Sequence, residues 1–410
     1  MTFPFIAIVG ARLAAALVVA CVSISSPAAL AQGKKGQKGE GQGKAAAQTP
    51  LDPALMVPYI DTHAHFDYQR LGSIDASVTA MIATMDALKI EKSILMPTPL
   101  GGIPGQQGYD YYVFLPALRR FPDRVMLMAG PGTLGAAYFQ KEAGAITEAD
   151  RKDFRAKAEA LARGPIAGFG EIGIVHLSMP FMGDSHPYEA APADHPLLLE
   201  LTDVAAENGL AIDVHFDMVS RDMDLPRIFA NPTAQYPNPA RLTRNQEPFE
   251  RFLANNRGAK IVWAHVGGES LGARTPAVVR SFLTRHPNLY MSLRLGRVSP
   301  DEAMAFGTDA KLKSEWKALI VEFADRFVLG SDTFHQDGAA QRGGSREGLE
   351  NLHRILAQLP PDVAAKIARD NVARIYRTNI PAIPDADANP EGALPKGFAK
   401  KAKGKKGGEP

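Results

Sequence analysis

Between about Pro58 and Pro381, short apolar or β-branched runs alternate with longer stretches of helical period, and this alternation restricts the folds open to the chain more than any other feature. Eight runs can be read: YIDTHAHF, SILMPTP, VMLMAGPG, IAGFGEIGI, LAIDVHFD, KIVWAHVGG, LYMSLRLG and FVLGSDTFH. Between them lie segments such as residues 75–89, 195–209 and 247–258, whose apolar spacing predicts helices. The last two end at Gly209 and Gly258, and glycine closes a helix by taking the left-handed conformation. Strand and helix in alternation imply a parallel sheet. Eight units over roughly 320 residues favour a closed (β/α)8 barrel, the TIM architecture, over an open doubly wound sheet. No G-x-G-x-x-G follows the first run; GGIPGQQG at 101–108 follows the second and contains Pro104, so it reads as a loop over the barrel mouth. The expectation is a single barrel over residues 57–380.

The ends of the chain read differently. Arg12 precedes the apolar run LAAALVVACVSI, and Ala29 and Ala31 offer a small-residue cleavage site, so residues 1–31 are expected to be an export signal leading to the periplasm or outside the cell. The run is short for a membrane-spanning helix. Cys21 lies within it in VVAC, which resembles the lipobox of bacterial lipoproteins, so a lipid anchor at Cys21 is the alternative. Residues 32–56 and 381–410 are rich in Gly and Lys and poor in large apolar groups, the composition of disordered segments; their charge could bring the protein to an anionic surface. The folded part should prefer no polyanion: the formal net charge is only +2, and basic and aromatic residues do not interleave as nucleic-acid binding requires. Its partner is expected to be a small-molecule substrate. With Cys21 the single cysteine, disulfides and thiolate ligands are excluded, and any metal would be held by His, Asp and Glu.

Six such residues fall at or near strand ends. His63 and His65 close the first run, Glu171 the fourth, His215 the fifth, His265 the sixth, and Asp332 lies in the eighth. Residues i and i+2 of a strand share a face, so His63 and His65 converge on one point. Taken singly, a strand histidine is more often a satisfied core residue. In a (β/α)8 barrel, however, the carboxyl ends of all strands face one cavity, which brings the six together.

On these residues the sequence resembles the amidohydrolase superfamily, in particular its amidohydrolase-related branch of metal-dependent barrels. The resemblance rests on DTHAHF, DVHFD, WAHVGG and GSDTF, and on DNVARIYR (370–377), which is similar to the closing helix of that branch. Many members with two metals carry a bridging carbamylated lysine on strand four; here that strand reads GFGEIGI, and its GEIG resembles the strand-four glutamate of the TatD-like nucleases. The resemblance implies one or two divalent ions held by His63, His65, Glu171, His215 and Asp332, with Glu171 either a ligand or a hydrogen-bond partner of a ligating imidazole. A nitrogen and oxygen set without sulfur suits zinc and tolerates manganese, iron or cobalt. The implied activity is hydrolysis of an amide, ester, lactone or phosphoester by hydroxide generated at the ion, with Asp332 or His265 moving the proton. Two alternatives are a non-oxidative decarboxylase of a carboxylated aromatic or unsaturated acid, and a non-catalytic exported binding protein. The second alternative predicts a degraded ligand set, and none of the six positions is degraded.

Specificity is expected from the loops after the strands. His176 is near enough to the end of strand four to reach the cavity, whereas His186 and His195 precede prolines and are expected to be exposed. Arg294, in SLRLG, either clamps a substrate carboxylate or forms a salt bridge in the barrel wall. The glycine-containing segment HQDGAAQRGGSREG reads as a mobile lid, with His335 and Arg342 as substrate contacts.

Overall fold

The computed structural model describes Leu51, Ala54 and residues 56–381, apart from 67–72, 102–108, 181–185, 232, 269–270, 295–302, 308–310 and 337–345. These belong to the unit Pro50–Pro410. The export signal, most of the linker and tail, the loop at 102–108, the centre of the expected lid and Arg342 lie outside the described residues.

Eight parallel strands form a closed barrel: β1 (Tyr59–Phe66), β2 (Ile90–Leu95), β3 (Val125–Ala129), β4 (Gly168–His176), β5 (Ala211–Phe216), β6 (Lys260–Val266), β7 (Leu289–Leu293) and β8 (Phe327–Leu329). Each pairs with its neighbour in sequence order, and Asp61 opposite Leu329 closes the ring from β8 to β1. Helices α1 (Ile74–Ala87), α2 (Leu115–Arg120), α3 (Pro131–Phe139), α4 (Glu148–Ala162), α5 (Pro196–Glu207), α6 (Gln246–Asn255), α7 (Pro276–Arg285), α8 (Ser314–Glu322) and α9 (Arg346–Ala357) occupy the connections and follow β8. The expected barrel is therefore what forms.

Strand alternation separates two cores. Ile212, Val214, Ile261, Trp263 and Leu329 join the large cluster shared with the helices, while Met126, Met128, Ala211, Val262 and Val328 form a second cluster with Val372, Ile375 and Tyr376. Those last three belong to the closing helical segment, whose final part is α11 (Asn371–Ile375), preceded by α10 (Pro361–Ala365). Asn371 fastens that segment to the start of β8 by donating through Nδ2 to the carbonyls of Ala324 and Phe327, both at 2.8 Å. The Asn-x-x-Arg pattern thus has a structural use, since Arg374 in turn donates to Asn371 Oδ1 at 2.7 Å.

Two local expectations need correction. Gly209 does take a left-handed φ of 66° after α5, but α6 stops at Asn255 and Asn256 is extended, its Oδ1 accepting the Gly258 N–H at 3.0 Å. The side chain of Asn256 satisfies the turn, so Gly258 is not needed in the left-handed region. The eighth run is also not one strand. Pairing with β1 breaks after Leu329 and resumes at Thr333–His335, because Asp61 captures Ser331 in between: its Oδ1 accepts the Ser331 N–H at 2.9 Å and its Oδ2 the hydroxyl at 2.6 Å.

Gly330 sits in this break against β1 and β7. A Cβ there would be 2.7 Å from His63 Cβ and would collide with Ser292 Oγ. Gly330→Ala is expected to cost about 1–3 kcal/mol of stability through overpacking, read as a lower urea midpoint of the metal-free protein; an unchanged midpoint would mean the break can widen freely.

Candidate active site

At the carboxyl ends of the strands the six polar residues meet. His63 and His65 lie on the inner face of β1, with Ala64 and Phe66 turned to the helices. His63 Nε2 and His65 Nε2 are 3.1 Å apart. His65 Nδ1 lies 2.9 Å from the Met96 carbonyl oxygen, which can only accept, so Nδ1 carries a proton and Nε2 presents a lone pair to the cluster. His63 Nδ1 faces the Asp213 carboxylate at 3.3 Å, a charge contact outside hydrogen-bond geometry that leaves Nε2 as the atom turned to the cluster. Two ring nitrogens opposed at that distance need a proton or a metal cation between them.

Glu171, within β4 and not at its end, stands between two halves of the cluster. Its Oε2 is 3.4 Å from His63 Nε2 and 3.5 Å from His65 Nε2, while its Oε1 is 2.8 Å from His215 Nδ1 and 3.5 Å from His265 Nε2. Asp332 spans the same halves: Oδ1 is 3.2 Å from His65 Nε2 and Oδ2 is 3.7 Å from His265 Nε2. Zinc held tetrahedrally at 2.0–2.2 Å would have ligand atoms about 3.4 Å apart, close to these separations except the 2.8 Å between His215 Nδ1 and Glu171 Oε1, which is a hydrogen bond. His265 Nε2 is moreover fully buried with no hydrogen-bond partner among the described residues, an arrangement that is costly unless a cation or substrate group meets it. The donor set therefore fits a divalent metal, in overlapping groups of His63, His65 and Glu171; Glu171, His215 and His265; and His63, His265 and Asp332.

Backbone geometry delivers two of these side chains. His265 and Asp332 have φ of 64° and 52°, in the left-handed region that residues with a Cβ seldom occupy, and such positions cluster at functional sites. Burial and charge then set protonation. Burial opposes charge on His63 and His215, but Asp213 and Glu171 hold His63 well above the ordinary histidine range, and Asp217 and Glu171 raise His215 to about 9. For His265 burial prevails and keeps the ring neutral. Glu171 and Asp332 resist the upward push of burial and stay ionised, Glu171 through His63 and His215, Asp332 chiefly through Arg294.

Around this centre the structure places the remaining candidates. Arg294 follows β7 and lines the cleft, where its Nη2 forms a salt bridge with Asp332 Oδ2 at 3.0 Å. His176 ends β4, buried, its Nδ1 donating to the Pro187 carbonyl at 2.9 Å and its ring 4.7 Å from that of His215. His335 is buried beside β1, and burial lowers it to about 4. The expected exposure of His186 and His195 is wrong. His186 stacks on His176 with ring centroids 4.1 Å apart and accepts the Met179 N–H, because the segment after β4 folds back over the strand end through an antiparallel pairing of Val175 with Ala190. His195 is fully buried and caps α5, accepting the Leu197 N–H at 3.2 Å and donating to the Lys141 carbonyl. The sequence reading passed over Asp61, Asp213 and Asp217. All three lie two residues from a cluster histidine and so share its face, the period that would have found them.

Fold and cluster together define a (β/α)8 barrel with a buried His, Asp and Glu centre able to hold a divalent metal. The family model described as amidohydrolase matches residues 60–378, and the chain belongs to that family. Solved structures similar to it include an amidohydrolase II (14 % identity, 77 % of this chain and 98 % of that chain, TM-score 0.42). Others are the N-acyl-D-glutamate deacylase of Bordetella bronchiseptica, complexed with zinc and a phosphonate inhibitor (15 %, 75 %, 74 %, 0.42), and a D-aminoacylase (14 %, 76 %, 74 %, 0.40). No curated protein matches the sequence.

Proposed function

We propose that this member of the amidohydrolase family is a metal-dependent hydrolase cleaving an amide, ester, lactone or phosphoester bond of a small molecule, with zinc the first ion and manganese, iron or cobalt the alternatives. The observation that carries the reading is Glu171, whose two carboxylate oxygens face two different sets of imidazoles, as a carboxylate shared by two ions would. One set is His63 and His65; the other is His215 and His265, and Asp332 reaches both.

A divalent ion held there supplies two things: it lowers the pKa of its water from about 15.7 to about 7, and it polarises the bond to be cleaved. The chain supplies the rest. Asp332 takes the proton of the attacking water at Oδ2 and returns it to the leaving group, and neutral His265 stands 3.7 Å from the same oxygen. Arg294 occupies Asp332 Oδ2 in the structure, so a substrate bearing a negative group would draw the guanidinium away and free that oxygen. Leu177 and Met179 line the same cleft.

Reconstituted protein is expected to contain one or two equivalents of zinc or manganese by elemental analysis, to hydrolyse members of a panel of amides, esters, lactones and phosphoesters, and to lose that activity on chelation. A metal content near zero would remove the reading. Metal-dependent carbon dioxide release from aromatic acids, without hydrolysis, would replace it with a decarboxylase.

A further inference from the structure

Carboxylates lie two residues to either side of His215, Asp213 within β5 and Asp217 just after it, and each backs a different imidazole. Asp213 Oδ1 lies 3.3 Å from His63 Nδ1, and Asp217 Oδ2 lies 3.3 Å from His215 Nε2. The first is a charge contact and the second a hydrogen bond, and with those nitrogens turned to the acids His63 presents Nε2 and His215 presents Nδ1. These two atoms fall on opposite oxygens of Glu171, His63 Nε2 at 3.4 Å from Oε2 and His215 Nδ1 at 2.8 Å from Oε1.

Packing does not account for the two acids. Asp213 is completely buried, neither of its oxygens has a hydrogen-bond partner among the described residues, and His63 is the imidazole it faces; a carboxylate buried that way is costly. Gly170 has no side chain where a Cβ would come within 2.9 Å of Asp213 Cβ, so β4 makes room for the group. Asp217 also accepts the Leu177 N–H at 2.8 Å, a bond that an asparagine oxygen can keep. A carboxylate behind a ligating histidine fixes the ring's tautomer and orientation and raises its basicity, and losing it weakens metal binding about 10–100-fold.

We propose that Asp213 and Asp217 are positioning residues that govern the two ion positions separately: Asp213, through His63, the ion shared with His65 and Asp332; Asp217, through His215, the ion shared with His265. This rests on the metal centre proposed above. The two acids are only four residues apart, one within β5 and the other just after it, yet they act on opposite halves of the cluster because the barrel brings β1 across to β5 at Asp213.

The test is cobalt titration of the metal-free full-length protein, with chelator competition for affinity and the visible ligand-field spectrum for identity. His65→Ala and His265→Ala serve as references that lack one half each. Asp213→Asn should weaken one of two binding steps by about 10–100-fold and leave the residual spectrum of His65→Ala; Asp217→Asn should weaken the other and leave that of His265→Ala. Cooperative melting of the metal-free variants checks folding, and Asp217→Asn carries the test alone if Asp213→Asn does not fold. Wild-type affinity in a folded variant, equal weakening of both steps, or a single binding step in the wild type overturns separate control while leaving the hydrolase reading in place. A wild-type protein that binds no cobalt removes both.

Discussion

Asp332→Asn should keep much of the bound metal and lower turnover by roughly 10²–10⁴-fold, the usual worth of a general acid–base group. Asparagine retains the shape and one neutral oxygen ligand but cannot hold the proton. The position is sensitive because Asp332 has two duties on two oxygens, Oδ1 toward His65 Nε2 at 3.2 Å and Oδ2 toward His265 Nε2 and Arg294. Metal content and rate must be measured on the same sample. Near-wild-type hydrolysis with metal retained would pass the proton to His265, whose neutral, unbonded Nε2 can accept it. Inactivity with the metal gone would make Asp332 a ligand and leave the proton acceptor to be found by the matching His265→Asn variant.

A comparable loss is expected for Glu171→Gln, with a different signature. If the carboxylate joins the two halves of the cluster, the neutral amide can serve only one of them, and metal stoichiometry should fall from two to one. If Glu171 instead orients His215 through the 2.8 Å contact to Nδ1, stoichiometry stays as in the wild type and only affinity declines. Elemental analysis of protein dialysed against dilute zinc separates the two. The buried site makes the change severe in either case, since Glu171 contacts both His63 and His215 and the amide NH2 would face one of them.

How much of this could be read beforehand varies by element. His63 and His65 were legible because a strand's period of two is a local rule, and the same rule, applied to DVHFD, places Asp213, His215 and Asp217 on one face. Asp332 was legible as a strand-end acid, but the break that aims it was not. That break depends on Asp61, some 270 positions away in sequence, bonding Ser331. His195 and His186 were misjudged for a similar reason: a proline after a histidine suggests a loop, and nothing local reveals that the loop folds back onto β4.

The amino-acid order alone thus determined the kind of fold and the kind of chemistry. Eight alternating units demanded a parallel sheet with its strand ends on one side, and a folded region without cysteine left only nitrogen and oxygen donors. What the tertiary structure decided is which atom meets which: Glu171 divided between two sets of imidazoles, Asp213 behind His63 and Asp217 behind His215, Arg294 on Asp332. Those pairings depend on how the barrel closes and on the register of strands distant in sequence, and periodicity says which face a residue takes but not what stands opposite it.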